Sequence, residues 1–262
     1  MENVEIFRML HNQSKPLLLG NAWDIQSARI LQKAGYPAVA TSSAALARSA
    51  GYDDGEKIPF KELLFTVEKL AGALTVPLSV DMEKGYSRDI FKIIDHISAL
   101  ADAGAVGINI EDSIVTPSGR ILDSSDEFSK KISTIKNHLE KSKRKIFINA
   151  RTDGYILKID HCLETSIERA KLYSQAGADG IFVPFVKEEE DIRAIASSIN
   201  LPLNVLSMAD LPDYERLAAL GVKRISMGSA IFTNTYAYFE KLAARINAEK
   251  SIALLFQESL VP

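Results

Sequence analysis

The chain has 262 residues, 47% of them hydrophobic and 25% charged, and its 31 lysines and arginines against 34 acids leave a formal net charge of −3. That near balance gives no general pull toward nucleic acid or an anionic membrane surface. One cysteine, Cys162, excludes an intrachain disulfide and a cysteine metal cluster. The first 13 residues lack the apolar run of a signal peptide, and no apolar stretch reaches bilayer length, so a cytoplasmic protein is expected.

Short apolar runs alternate with longer amphipathic stretches from end to end. Residues 17–19 read as a strand, followed by a helical pattern over 25–34. Residues 38–40 follow, then helical stretches at 44–49 and 60–73. The run 78–80 leads to a helix from about 89 to 103, and 107–110 leads to one from about 127 to 140. The run 146–148 precedes a helix at 163–176, 180–183 one at 188–198, and 203–205 a short one at 211–220. Residues 224–227 precede a last helical region reaching about Phe256. Eight strands, each followed by a helix, predict an α/β fold: a single (β/α)8 TIM-type barrel spanning 1–262.

Punctuation agrees with this reading. Ala34-Gly35, Ala103-Gly104, Ala176-Gly177 and Leu220-Gly221 place glycine just past a helix and just before a strand. Val76-Pro77 and Leu201-Pro202 set extended entries into the third and seventh strands. An open doubly wound sheet would more often carry a glycine-rich phosphate loop after its first strand, and Gly20-Asn21-Ala22-Trp23-Asp24 is not one.

Polar residues gather where the strands end. The first ends in Asn21, Trp23 and Asp24, the second in Thr41, Ser42 and Ser43, and the third in Asp81 and Glu83. The fourth ends in Glu111 and Asp112, the fifth in Arg151, Thr152 and Asp153, and the seventh contains Asn204. In a barrel all these ends converge on the face where active sites are built. Asp81 and Glu83, two apart on an extended chain, can point the same way, with Glu111 on the neighbouring strand. Three carboxylates at one mouth repel unless a cation or protons compensate. Hard oxygen donors without nearby cysteine or histidine favour Mg2+ or Mn2+. Singly, each acid could equally cap a helix or pair with Arg151 or Lys84. Arg151 can grip a substrate carboxylate bidentately or bridge to Glu111 or Asp153. Ser42 and Ser43 can cradle a carboxylate or simply cap the helix after them. Trp23 can cover substrate or pack in the barrel. The four histidines, His11, His96, His138 and His161, read as surface residues, and Cys162 as a small buried filler.

On these residues the chain resembles the isocitrate lyase/phosphoenolpyruvate mutase superfamily over nearly its whole length. The resemblance rests on Ser42-Ser43, Gly51-Tyr52-Asp53-Asp54, Val80 to Tyr86, Ile110-Glu111-Asp112 and Ala150-Arg151-Thr152-Asp153. Pro202 to Leu206 and the segment from Leu220 to Ser229 are similar to one large branch. It implies an enzyme, a lyase that uses Mg2+ (or Mn2+) on a small 2-oxo or 2-hydroxy carboxylic acid, by C–C cleavage or decarboxylation through an enolate. Asp81, Glu83 and Glu111 would hold the metal, with Asp54 completing the shell. Ser42, Ser43, Arg151, Trp23 and Asn204 would bind substrate, and Arg151, Glu111 and Asp54 would serve catalysis. It also implies a homo-oligomer, a dimer or a tetramer of paired dimers that exchange an extra C-terminal helix, to which the apolar run 252–256 would belong.

The chain departs from the family pattern in three places. Glu83 stands where aspartate is usual. The stretch from Ser113 to Arg120 replaces a Lys-Lys/Arg-Cys-Gly-His loop and holds no cysteine, histidine or lysine. Pro184 stands where methylisocitrate lyases carry glutamate. These departures argue against standard isocitrate or methylisocitrate cleavage and against phosphoenolpyruvate mutation. Tyr86, Arg120 and a metal-bound water are the candidate proton donors. Alternatives are C–P bond chemistry on a phosphonate, non-catalytic binding of a 2-oxo acid, and a Schiff base on Lys84, whose side chain should alternate away from Asp81.

Overall fold

The computed structural model describes residues 2–116 and 119–256. Pro117 and Ser118, in the departing loop, and the C-terminal residues 257–262 lie outside them. In chain order the elements are α1 (Asn3–His11), β1 (Leu17–Ala22), α2 (Ile25–Lys33), β2 (Val39–Thr41), α3 (Ser43–Ser49), α4 (Phe60–Ala73), β3 (Leu78–Asp81) and α5 (Ile90–Asp102). Then come β4 (Gly107–Glu111), β5 (Ser113–Thr116), β6 (Gly119–Leu122), α6 (Ser125–Lys141), β7 (Phe147–Arg151), α7 (Gly154–Leu157), α8 (Cys162–Gln175) and β8 (Gly180–Phe182). The chain continues through α9 (Glu189–Ser198), β9 (Leu203–Leu206), α10 (Tyr214–Ala219), β10 (Val222–Ser226), α11 (Ala230–Glu249) and a 3-10 turn (Ile252–Leu255).

Eight strands close a parallel barrel in the order β1-β10-β9-β8-β7-β4-β3-β2, the expected TIM-type architecture with helices outside. The helices pack by their apolar stripes. In α6 the buried positions are Phe128, Ile132, Ile135 and Leu139, spaced four, three and four apart. In α5 they are Ile93, Ile94, Ile97 and Leu100. The four glycines expected past α2, α5, α8 and α10 all adopt left-handed φ, between 91° and 103°, the turn that lets each helix reverse into the next strand.

The barrel differs from the sequence expectation in four places. Helix α1, unanticipated, plugs the floor: Phe7 meets Phe147 edge-on at 5.4 Å, and His11 stacks on Phe147 at 4.4 Å. His11 is therefore a buried residue, 2% exposed, not a surface one, and His96, stacked on Phe60 at 3.7 Å, is half-buried. The departing loop, for which the sequence pattern names no strand, forms an antiparallel hairpin, β5–β6. The last helix stops at Glu249, with Lys250 in left-handed conformation and only a 3-10 turn beyond it, so one continuous helix does not reach Phe256. The exchange of a C-terminal helix between subunits remains an expectation of the family resemblance.

Branched aliphatic side chains usually fill the interior of such a barrel. Here Asn109, Asn149, Asn204, Arg224 and Ser226 are all buried on its strands. Asn149 Nδ2 and Arg224 Nη2 both donate to Asn109 Oδ1, and Ser226 Oγ donates to Asn204 Oδ1. Among the described residues no helix is long and apolar enough to cross a membrane.

Candidate active site

Strand register brings the acids and the arginine together. Asp81 pairs with Asn109 across β3–β4, and Glu111 pairs with Arg151 across β4–β7. At the end of β2 the chain turns into α3. The Ser42 side chain caps that helix by accepting from the Ala45 N–H, which uses one of its acceptor positions and not its hydroxyl proton. Ser43 faces the neighbouring strand: its Oγ and N–H donate to Asp81 Oδ2 at 2.8 and 3.2 Å. The Asp81 N–H in turn donates to Thr41 Oγ1 at 2.9 Å. Asp81 is thus fixed by two groups from β2 and its turn.

Glu83 reaches the same mouth by a different route from the one its spacing suggests. Strand β3 ends at Asp81, and Glu83 has φ of 49° in a turn. Its carbonyl accepts from the Glu111 N–H at 2.8 Å, which holds the turn against β4. Glu56, from the loop before α4, accepts from the Tyr86 N–H at 2.5 Å and the Lys84 N–H at 3.2 Å. Glu83 is 3% exposed. Burial, reinforced by the charges of Asp81, Asp54 and Glu111, pushes it up to about 8, although the Glu56 N–H donates to it. The Tyr86 hydroxyl lies 3.4 Å from Glu83 Oε1. Burial first, then Glu83 and Asp81, hold this phenol well above its ordinary range, so it stays protonated.

Two guanidiniums meet two carboxylates on the β4–β7 side. Arg151 Nε donates to Asp153 Oδ1 at 2.6 Å, and its Nη1 lies 3.0 Å from Glu111 Oε2. Arg120, arriving from β6, pairs with Glu111 and with Asp153 Oδ2 at 3.1 Å, and donates to Ser113 Oγ at 2.6 Å. Burial pushes Glu111 up, against the opposing pull of Arg151. Burial also works against the Arg151 charge, but Glu111, Asp153 and Asp81 outweigh it and raise its pKa. Beneath this quartet, Asp112 accepts from the Asp153 N–H at 3.0 Å, the Tyr173 hydroxyl at 2.7 Å and Arg169 Nη1 at 2.8 Å. Asp112 is therefore a brace for the β7 end.

The structure thus gathers Ser43, Asp81, Glu83, Glu111 and Arg151, with Asp54 exposed on the loop above and felt by Glu83. It separates two other candidates, Trp23 and Asn204, from that group. Trp23 packs edge-on against Phe232 at 5.2 Å and lines a smaller neighbouring cavity with Leu46, Ile58 and Phe65. Asn204 lies buried inside the barrel. Asp153, which the strand-end pattern names, belongs to the site's framework together with Ser113 and Arg169, to which that pattern gives no site role. Asp153 had a signal in the Arg-Thr-Asp run at a strand end. Arg169 sits mid-helix, where nothing in spacing points to a strand mouth.

Metal fit can be judged from charge and donor chemistry. Among the described residues no lysine or arginine bridges to Asp81 or Glu83, and the Glu83 carboxyl is pushed up to about 8 by burial first, with Asp81, Asp54 and Glu111 adding to it. Hard oxygen donors in that state suit a hard dication. Glu111 is already held by two arginines, and among the described residues no three His, Cys, Asp or Glu are gathered as a ready-made ligand group. The fit therefore rests on Asp81 and Glu83, with Glu111 alongside.

A cavity of about 1020 Å3 opens beside Glu83 and Glu111, between the loop before α4, the hairpin and α6. The phosphoenolpyruvate phosphomutase family model matches residues 7–247. A 2-methylisocitrate lyase of Halalkalibacterium halodurans is 27% identical over 239 residues, 89% of this chain and 77% of that protein. An oxaloacetate decarboxylase of Rhodopseudomonas palustris is 28% identical over 232 residues, 86% of this chain and 78% of that protein. A crystal structure from Burkholderia cenocepacia, provisionally named a phosphonomutase, superposes with a TM-score of 0.87 at 35% identity and covers 93% of this chain and 100% of its own.

Proposed function

The chain belongs to the phosphoenolpyruvate phosphomutase family, within the isocitrate lyase/phosphoenolpyruvate mutase superfamily of lyases and mutases, and from that premise we propose that it is a Mg2+-dependent (or Mn2+-dependent) lyase. Its substrate is a small 2-oxo or 2-hydroxy carboxylic acid, broken by C–C cleavage or decarboxylation through an enolate. The observation that carries this reading is the convergence of Ser43-bound Asp81, buried Glu83 and the Glu111–Arg151 pair at the ends of three adjacent strands.

Asp81 and Glu83, with Glu111 beside them, would hold the metal. Bound there, a divalent cation supplies Lewis-acid stabilisation for negative charge on a substrate oxygen. The protein's own groups do the rest. Ser43 orients Asp81 through two hydrogen bonds. Arg151, which keeps its charge, offers a guanidinium to the substrate carboxylate by exchanging part of its contact with Glu111 or Asp153. The Tyr86 hydroxyl, protonated and 3.4 Å from Glu83, would be the donor that returns a proton to the carbanionic product. The β5–β6 hairpin brings Arg120 to Glu111 in place of a thiol or imidazole.

The test is calorimetric binding of pyruvate, oxaloacetate and 2-oxoglutarate with and without Mg2+, followed by turnover assays, comparing wild type with Asp81→Ala. Binding that needs both the metal and Asp81 supports the reading. No binding under any condition removes it, and tight binding without turnover in any metal makes the protein a 2-oxo acid binder. A second reading, C–P bond cleavage or mutation on a phosphonate, draws on the 35% identical Burkholderia structure. Release of phosphate from phosphonopyruvate would put it first.

A further inference from the structure

Arg224 is fully buried, 0% exposed, and among the described residues no carboxylate pairs with it. It sits on β10, which the barrel order places opposite β4, with three strands between them on either side. Its Nη2 nevertheless donates to Asn109 Oδ1 on β4 at 3.2 Å, so the guanidinium lies across the barrel axis. Its Nε donates to Ser226 Oγ at 3.1 Å, and its Nη1 finds no acceptor among the described residues. Asn109 is the register partner of Asp81. The charge is therefore one side chain removed from the strand position of the acid.

A guanidinium keeps its proton in proteins, and burial, which lowers this one to about 9, leaves it charged at neutral pH. Toward the floor its neighbours are the Phe7 ring, whose centre is 6.0 Å from the guanidinium carbon, and His11, held neutral by burial first and then by the Arg224 charge. Toward the mouth, Asp81 is the charge that acts back on it. An unpaired buried charge is costly to the fold. Inside the barrel, shielded from bulk water, its field also reaches farther than it would at a surface. It is felt at the mouth, where charged ligands arrive.

We propose that Arg224 is a positioning residue for the strand-end site: its fixed positive charge weakens the acids' hold on a bare dication and strengthens the site's hold on a substrate anion, so that metal and 2-oxo acid are taken up together. Without it, Asp81, Glu83 and Glu111 would draw in a divalent cation whether or not an acid accompanied it. With the guanidinium beneath them, the substrate's own carboxylate makes up part of the negative charge that the metal needs. The inference rests on the reading of those acids as a metal site for 2-oxo acids, and adds how the two ligands depend on each other.

The experiment is calorimetry on the full chain, titrating Mg2+ alone and then pyruvate at saturating Mg2+, with wild type, Arg224→Gln, Arg224→Met and Arg224→Lys. Arg224→Gln keeps an amide for Asn109 and removes the charge. It should bind Mg2+ alone about three- to tenfold more tightly and pyruvate weaker by a similar factor, the scale of one charge acting through a protein interior. Arg224→Met should do the same, and Arg224→Lys should stay near wild type in both. Opposite changes for cation and anion are the signature of a lost charge, because a loosened site loses both ligands together. Weakening of both ligands in Arg224→Gln and Arg224→Met, or no change in either, overturns the proposal and leaves the strand-end site standing. Loss of the fold in both charge-free variants makes Arg224 a structural residue and overturns it too. Mg2+ binding that appears only when the charge is removed supports it. Failure of all four proteins to bind Mg2+ or pyruvate overturns the reading of the strand-end site, and this proposal with it.

Discussion

Ser43 Oγ donates to Asp81 Oδ2 at 2.8 Å, and the Ser43 backbone N–H reaches the same oxygen at 3.2 Å. One residue at the start of α3 therefore fixes the rotamer and loads one oxygen of an acid on the next strand. Ser43→Ala keeps the N–H contact and removes the hydroxyl. Mg2+-dependent binding of pyruvate should weaken about tenfold or more, as for groups that orient metal ligands, with thermal stability nearly constant. Asp81→Asn should abolish the metal dependence. Equal binding by Ser43→Ala and wild type in calorimetry would show that the hydroxyl orients nothing that matters.

Glu83 makes a prediction in pH. Its folded pKa is raised to about 8, above that of the unfolded chain, so the protonated form stabilises the fold. That contribution is complete below the unfolded value and is lost as pH rises through about 8. With chelator present, wild type should lose stability between about pH 5 and 8 at up to roughly 1.4 kcal/mol per unit. Glu83→Gln should lack this slope, and saturating Mg2+ should suppress it in wild type. Denaturant melts at pH 6 and 8.5 check all three.

His11 predicts the opposite limb. Burial, followed by the Arg224 charge, lowers its pKa to about 3, its Nδ1 donates to the Phe7 carbonyl at 2.7 Å, and it is neutral in the fold. The unfolded chain takes up a proton below about pH 6.5 that the native state refuses until about pH 3. Stability should fall through that window as pH drops, by up to about 1.4 kcal/mol per unit. His11→Phe, which can keep the stack on Phe147, should flatten the acid limb. An unchanged slope in urea titrations at pH 7 and 5 would move the acid sensitivity elsewhere.

Arg120 and Arg151 share the same two carboxylates but not equally. Arg151→Met should destabilise by about 3–5 kcal/mol, because Glu111 and Asp153 lose the partner that engages both from within the barrel wall. Arg120→Met leaves Arg151 in place and should cost about 1–3 kcal/mol. Chemical denaturation that ranks them the other way would show that the hairpin, not the β7 end, anchors the quartet.

The homo-oligomer expected from the family has a surface that fits it. Tyr236, Tyr238 and Phe239 on α11, and Ile252, Leu255 and Phe256 beyond it, are exposed large apolar residues. We propose that these residues contribute to a subunit interface, as large exposed apolar groups often do. In sedimentation velocity, wild type should run as a dimer or tetramer and Phe239→Glu as a smaller species. A monomeric wild type would remove the oligomer.

The sequence determined the barrel, because eight apolar runs alternating with amphipathic helices and closed by four Ala-Gly or Leu-Gly stops are local features, readable from periodicity and turn chemistry. It also determined that the functional groups lie at strand ends, since Asp81, Glu83, Glu111 and Arg151 each follow an apolar run directly. Only the tertiary structure decided which of them meet. Register set Glu111 beside Arg151, a left-handed turn carried Glu83 to the mouth where an extended strand would have to end, and the hairpin brought Arg120 across nine residues to the same carboxylate. Asn204, at a position that reads like a site residue, instead points into a polar barrel interior shared with Arg224. Pairing between strands and the direction of a turn depend on contacts between residues distant in the chain, and local propensity does not encode those contacts.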